Sequence, residues 1–227
     1  MEEVHQIIFD LPKVEIHAHL HGSVRYSTLR ELIEARNMTD SISKFVMDQD
    51  DHGLAERPFE LFPIVHRLVN SMDIVIRILR EMVEDYLAEN TIYLEIRSSP
   101  RGLEDGSTVK DYIQTVVQHI ASLNKLHEGK IIVKLIAGID RSKNINDGRM
   151  IYQYAKEFQY YEGEKIIVGM DFAGNPSGGT FMDFQDLFNE IQASNLFHVT
   201  VHTAEIKELS ESLNGEVDET NTILSFQ

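Results

Sequence analysis

The stretch Val14-Glu15-Ile16-His17-Ala18-His19-Leu20-His21 decides how this chain is read. Its alternation predicts a strand over Val14–Leu20, on which every second side chain shares a face. The imidazoles of His17, His19 and His21 are therefore expected to point the same way. The chain has ten histidines in 227 residues. A chance triple at i, i+2, i+4 is then expected only roughly 0.02 times. Solvent-facing loop histidines are the competing reading.

Outward from that strand, short β-rich runs alternate with longer helical periods. Thr28 and Glu31 are spaced as a capping box, opening a helix with Leu29, Leu32 and Ile33 on one side. Phe45–Pro58 reads as an irregular excursion. Three- and four-residue periodicity predicts helices over Phe59–Asn70 and Asp73–Asn90. A strand at Ile92–Arg97, a helix at Thr108–Leu126 and a strand at Ile131–Ile139 follow. The remaining pattern is a helix over Asp147–Tyr161, a strand over Ile166–Phe172, a helix over Phe181–Ala193 and a strand over Phe197–His202. This order is the signature of parallel βαβ units. Five strands suit an open doubly wound sheet and fall short of a (β/α)8 barrel, but both architectures place their sites at the C-terminal strand ends.

Composition narrows the chemistry. Acidic residues outnumber basic ones by 37 to 21, giving a formal charge of −16. That balance excludes a nucleic-acid polymer as an electrostatic partner, and a polybasic membrane surface is equally absent. There are no cysteines, so thiolate nucleophiles and cysteine metal sites are excluded and any metal must be held by His, Asp or Glu. No apolar run is long enough to span a bilayer. Met1–Asp10 carries no Lys or Arg and reads as neither a signal nor a transit peptide. A cytoplasmic protein is the expectation.

Imidazole suits zinc, and His17 and His19 can offer two nitrogens from one strand. His202, ending the last predicted strand level with that pair, is the best third ligand, with His198 on the same face but deeper. Glu205, three residues on, could reach a water beside the metal and move its proton.

The run Leu11-Pro12-Lys13-Val14-Glu15-Ile16-His17-Ala18-His19-Leu20-His21-Gly22-Ser23 resembles the opening signature of the adenosine/AMP deaminase family. Tyr93-Leu94-Glu95-Ile96-Arg97-Ser98-Ser99-Pro100-Arg101 is similar to its second-strand motif. The Ser-Pro-Arg ending is closer to the adenosine deaminase-like branch, which acts on N6-methyl-AMP. Asp171-Phe172-Ala173-Gly174-Asn175-Pro176 and His202-Thr203-Ala204-Glu205 resemble the fourth- and fifth-strand motifs, in the right order. The resemblance implies one zinc ion per chain on His17, His19 and His202. It makes Glu205 the proton donor to the purine ring during attack at C6. It also implies substrate contacts from His19, His21, His66, Asp140 and Gly174, and a 5′-phosphate cradle from Ser98, Ser99, Pro100 and Arg101. His21 departs from the pattern, since the branch has Asn there and adenosine deaminases proper have Asp.

The family's later motifs, a His-Gly pair and an Asp-Asp pair supplying the fourth zinc ligand, do not occur after Glu205. The resemblance therefore implies an incomplete (β/α)8 TIM barrel of the metal-dependent hydrolase type, with about five of the eight parallel strands. Residues 1–227 would be the N-terminal part of a single adenosine deaminase-type barrel domain. Little or no deaminase activity is expected of these residues alone, and the full-length protein is expected to be a monomer that converts N6-methyl-AMP or AMP to IMP. An adenosine deaminase acting on the free nucleoside and a non-catalytic shortened isoform are the alternatives. An amide-cleaving barrel with a bridging lysine has only Lys134 to offer.

Overall fold

In a computed structural model, the described residues are 2–38, 58–203, 205 and 219–226, with backbone alone for 2–5 and 58–61. The elements are α1 (Glu2–Asp10), β1 (Lys13–His19), α2 (Tyr26–Ala35), α3 (Pro58–Leu68), α4 (Met72–Ala88), β2 (Thr91–Ser98), α5 (Val109–Leu126) and β3 (Ile132–Asp140). They continue with α6 (Ile145–Glu157), β4 (Tyr160–Tyr161), β5 (Glu164–Lys165), β6 (Ile167–Ala173), α7 (Gln185–Ser194), β7 (His198–Val201) and α8 (Glu219–Leu224). Five parallel strands form one sheet in the order β1-β2-β3-β6-β7, the α/β arrangement expected of an incomplete TIM barrel. The irregular stretch expected at Phe45–Pro58 lies outside the described residues, apart from Pro58 at the start of α3.

The chain divides into two compact units. The first comprises Met1–Ile96, Gly102–Thr108 and Ser122–Val133. There α4 buries Val75, Ile78, Leu79, Met82 and Val83 at helical spacing. Its first turn is capped from outside, because Asp105 accepts the Met72 N–H at 2.6 Å. Leu32, Ile33 and Leu68 form a small core that Tyr26, Leu29, Met38, Ile64 and Ile74 extend.

The second unit comprises Arg97–Arg101, Val109–Ala121 and Lys134–Gln227. Its core is aromatic, with Phe181, Phe184 and Phe188 all within 5.5 Å of the Phe172 ring, centroid to centroid. Strand register fixes which ends are level. Asp140 pairs with Ala173, and Phe172 with Val201, so His202 leaves β7 beside Ala173. The His202 N–H still donates to the Phe172 carbonyl at 2.8 Å, which carries the ladder one residue past the strand.

Four local expectations are corrected. The strand expected to reach Leu20 ends at His19, and Leu20–Gly22 turns as a 3-10 helix. The strand period therefore no longer assigns His21 to the face of His17 and His19. Thr28 is no cap: α2 starts at Tyr26 after Arg25, and the buried Thr28 hydroxyl donates instead to Glu81 at 2.6 Å. A tertiary carboxylate outcompetes the local capping bond. The helix expected to Tyr161 stops at Glu157, and Tyr160–Lys165 folds into a hairpin around Glu162 and Gly163, both at positive φ. The helix expected from Phe181 opens as a 3-10 turn over Phe181–Asp183, and α7 starts only at Gln185.

Candidate metal centre

His17 and His19 alternate with Val14, Ile16 and Ala18 along β1, so the strand period puts both imidazoles on one side. Their Nε2 atoms face each other at 3.1 Å. Two ring nitrogens this close, each with a lone pair or a proton, suit a shared cation. The geometry thus brings together two of the three histidines singled out in the sequence, and the third, His202, lies in the second unit.

His202 is held by a buried ionic network. Its Nδ1 lies 3.2 Å from the Asp171 carboxylate, which is 1% exposed. Arg97, reaching from β2, places Nη1 3.0 Å from Asp171 and donates to the Thr200 hydroxyl at 2.8 Å. Thr200 in turn donates to Asp171 at 2.7 Å. Thr200 and Asp171 are register partners in neighbouring parallel strands, so the pleat turns both to the same face. A proton on Nδ1 pointed at Asp171 leaves the His202 Nε2 lone pair available, the carboxylate–imidazole arrangement that orients metal-ligating histidines. Imidazole nitrogens of this kind, paired on β1 or oriented by a carboxylate as at His202, suit a borderline divalent cation such as zinc.

The charges shift titration in opposite senses. Burial would lower the His202 pKa, but the hydrogen bond and charge of Asp171, with Glu205, outweigh it and leave it raised. Burial would raise the Asp171 pKa, but His202, Arg97 and Thr200 together leave it lowered. Glu205 is pushed up, chiefly by loss of hydration, against the opposing pull of His202 and Arg141. A carboxyl raised in this way keeps more of its proton near neutrality than an ordinary glutamate.

The other candidates fall into groups. His21 is buried and meets His66 edge-on, with ring centroids 5.1 Å apart. At the end of β2 the buried Ser98 hydroxyl lies 2.8 Å from the Tyr112 hydroxyl. Ser99 passes so near β3 that a Cβ on Gly138 would sit 2.6 Å from its Oγ. Pro100 is buried, and Arg101 is half-buried, its pKa lowered by burial against the pull of Tyr112. Gly174 has φ +107°, and a Cβ there would collide with the Asp140 carboxylate. Only glycine lets that turn lie against Asp140.

Arg97, Asp171 and Thr200 escaped the reading of function, although Arg97 and Asp171 stand inside quoted motifs. The signal was available: a charged residue between buried neighbours in each of two strands demands a partner.

The chain is 32% identical over 224 residues to an Arabidopsis thaliana protein named N6-mAMP deaminase, covering 88% of this chain and 61% of the relative. It is 31% identical over 199 residues to the Bos taurus N6-methyl-AMP deaminase, covering 86% and 56%. The chain thus spans about 60% of the length of these curated relatives. A crystal structure of Arabidopsis ADAL complexed with GMP superposes with a TM-score of 0.80 at 30% identity, over 98% of this chain and 64% of that one. A Burkholderia ambifaria amidohydrolase solved with bound Zn shares the fold, with a TM-score of 0.66 at 21% identity over 88% and 54%. Residues 12–218 match the adenosine deaminase family model, and the chain belongs to the adenosine deaminase family.

Proposed function

We propose that this chain supplies the zinc-binding and proton-donating part of a purine aminohydrolase that converts N6-methyl-AMP, or AMP, to IMP. In this reading residues 1–227 are the N-terminal part of one barrel domain, and the reaction belongs to the cytoplasm. The observation that carries it is the facing pair of His17 and His19 Nε2 atoms at 3.1 Å, which His202, oriented by Asp171, would complete, with Glu205 three residues beyond it.

Bound by these imidazoles, zinc would supply a Lewis acid that makes water a competent nucleophile near neutral pH. Asp171 keeps His202 in the tautomer that presents Nε2. Glu205, with its raised pKa, donates a proton to the ring nitrogen beside C6, so that the electrons arriving there as water adds are neutralised. Of the two protons the water gives up as its oxygen becomes the C6 carbonyl, one goes to the departing nitrogen as the C6–N bond breaks and methylamine or ammonia leaves, and one restores Glu205. His19, His21 and His66 line the sugar side, and Asp140 and Gly174 the purine side. Ser98, Ser99, Pro100 and Arg101 receive the 5′-phosphate, where a guanidinium is the natural partner for a planar pair of anionic oxygens.

The relatives named N6-methyl-AMP deaminase and the structure of an ADAL–IMP complex support a nucleotide over a free nucleoside. The test is zinc analysis joined to calorimetry with IMP, N6-methyl-AMP and adenosine. One zinc per chain and tighter binding of the two nucleotides than of adenosine are expected. Methylamine release by the whole protein should vanish in Glu205→Gln with zinc content unchanged. A chain that binds neither zinc nor any purine nucleotide overturns the proposal.

A further inference from the structure

Arg141 follows Asp140 at the end of β3 and is 2% exposed. A fully buried guanidinium is costly unless paired. This one stacks over the Phe172 ring at 4.7 Å and donates from Nη2 to Glu219 at 2.6 Å, while its Nε has no hydrogen-bond partner among the described residues. The Glu219 oxygen that receives it also accepts the Phe181 N–H at 2.6 Å. The Arg141 backbone N–H donates to the Ala173 carbonyl at 2.9 Å, and its Cγ would lie 3.4 Å from a Cβ on Gly174. One carboxylate at the start of α8 thus ties together the end of β3 and the turn after β6. Nearby, the Thr203 and Thr220 hydroxyls meet at 3.0 Å and the Phe226 ring packs on Phe181.

We propose that Arg141 is a positioning residue for purine nucleotide recognition: clamped between Phe172 and Glu219, it fixes the Asp140–Gly174 wall, so that docking of α8 through Glu219 sets nucleotide affinity. Arg141 touches no substrate and acts through Asp140 and Gly174. The inference rests on the reading of those two residues as purine contacts. Its chemistry is a charge-assisted bond of short length inside an apolar shell, where such bonds are strongest. The same cation counters the rise in the Glu205 pKa.

The test uses the zinc-loaded 227-residue chain and four variants, read by IMP calorimetry, thermal melting and amide hydrogen exchange of residues 140–143 and 174–181. Arg141→Met keeps the packing on Phe172 and removes the charge. It should weaken IMP binding by about tenfold or more and speed exchange at 174–181 by a similar factor. Arg141→Lys should recover part of both losses, and Glu219→Gln, which retains an acceptor oxygen, should show a smaller loss of each. Phe226→Ala, a control on the same aromatic cluster, should lower the melting temperature while leaving IMP affinity within about twofold.

Wild-type affinity and exchange in Arg141→Met overturn the proposal. So does an equal loss of affinity in Phe226→Ala, which would make the effect general destabilisation. If the unmodified chain binds no IMP, the purine reading fails, and unchanged exchange at 174–181 would separately overturn the clamp. Should Arg141→Met not fold, Glu219→Gln is read by the same measurements, and wild-type affinity and exchange there overturn the proposal equally.

Discussion

Two ionic networks in this chain use the same residue types to different ends. On the helices, Arg25 forks onto Asp85, with both carboxylate oxygens within 3.0 Å, and reaches Glu84 at 3.1 Å, while Arg77 bridges Glu31 and Glu81. In the sheet, Arg97, Thr200 and His202 converge on Asp171. The Arg25 pairs stay partly in water, with Glu84 and Asp85 side chains about half exposed at 47% and 51%, whereas the Glu81 end of the Arg77 bridge is buried, at 9% exposure. The sheet pair is 8% and 1% exposed. Water screens the Arg25 pairs to small net energies, whereas the sheet pair must be satisfied as a unit or each member becomes a liability. Burial, more than the pairing itself, separates the two networks.

Substitutions can break or sharpen that contrast. The largest effect is expected at His202, which the sheet network contacts through Asp171. His202→Ala should reduce zinc from one per chain to about none, measured by elemental analysis after dialysis. Next, Arg97→Met in the metal-free chain should cost about 3–5 kcal/mol in urea unfolding, because it strands the Asp171 charge. A loss no larger than that of a helix pair would erase the distinction. Asp171→Asn should weaken zinc binding about 10–100-fold by competition with a chelator, through the lost orientation of His202. On the helix side, Glu84→Ala should change stability by only about 0–1 kcal/mol.

The smallest effect is one of pH. The N–H groups of Met72 and then Ser107 hold the exposed Asp105 carboxyl below its ordinary value of 3.8. The native state therefore binds fewer protons than the unfolded one in that range. The contribution is complete above 3.8 and fades as pH falls through the lowered value. Asp105→Asn should flatten the melting temperature against pH there and leave it unchanged at neutrality.

Periodicity reads strands and helices well where one face is buried, as the close agreement of α4, α5, β2 and β3 with expectation shows. It fails where a distant partner competes with a local one. Thr28 had a capping partner three residues away and chose a buried carboxylate 53 residues on. His21 kept the spacing of His17 and His19, but the backbone turned at Leu20 and sent it towards His66. Spacing implies a shared face only while the strand lasts.

The chain by itself determined its alternation of strands and helices, its lack of cysteine ligands and the cluster that made His17, His19 and His202 candidates. Those follow from side-chain type and local period. Only the tertiary structure decided that Arg97 pairs with Asp171 behind His202, and that Glu219 closes on Arg141. Each pairing joins residues far apart in the chain, and the parallel register that brings their strand ends level is set by packing of the whole sheet.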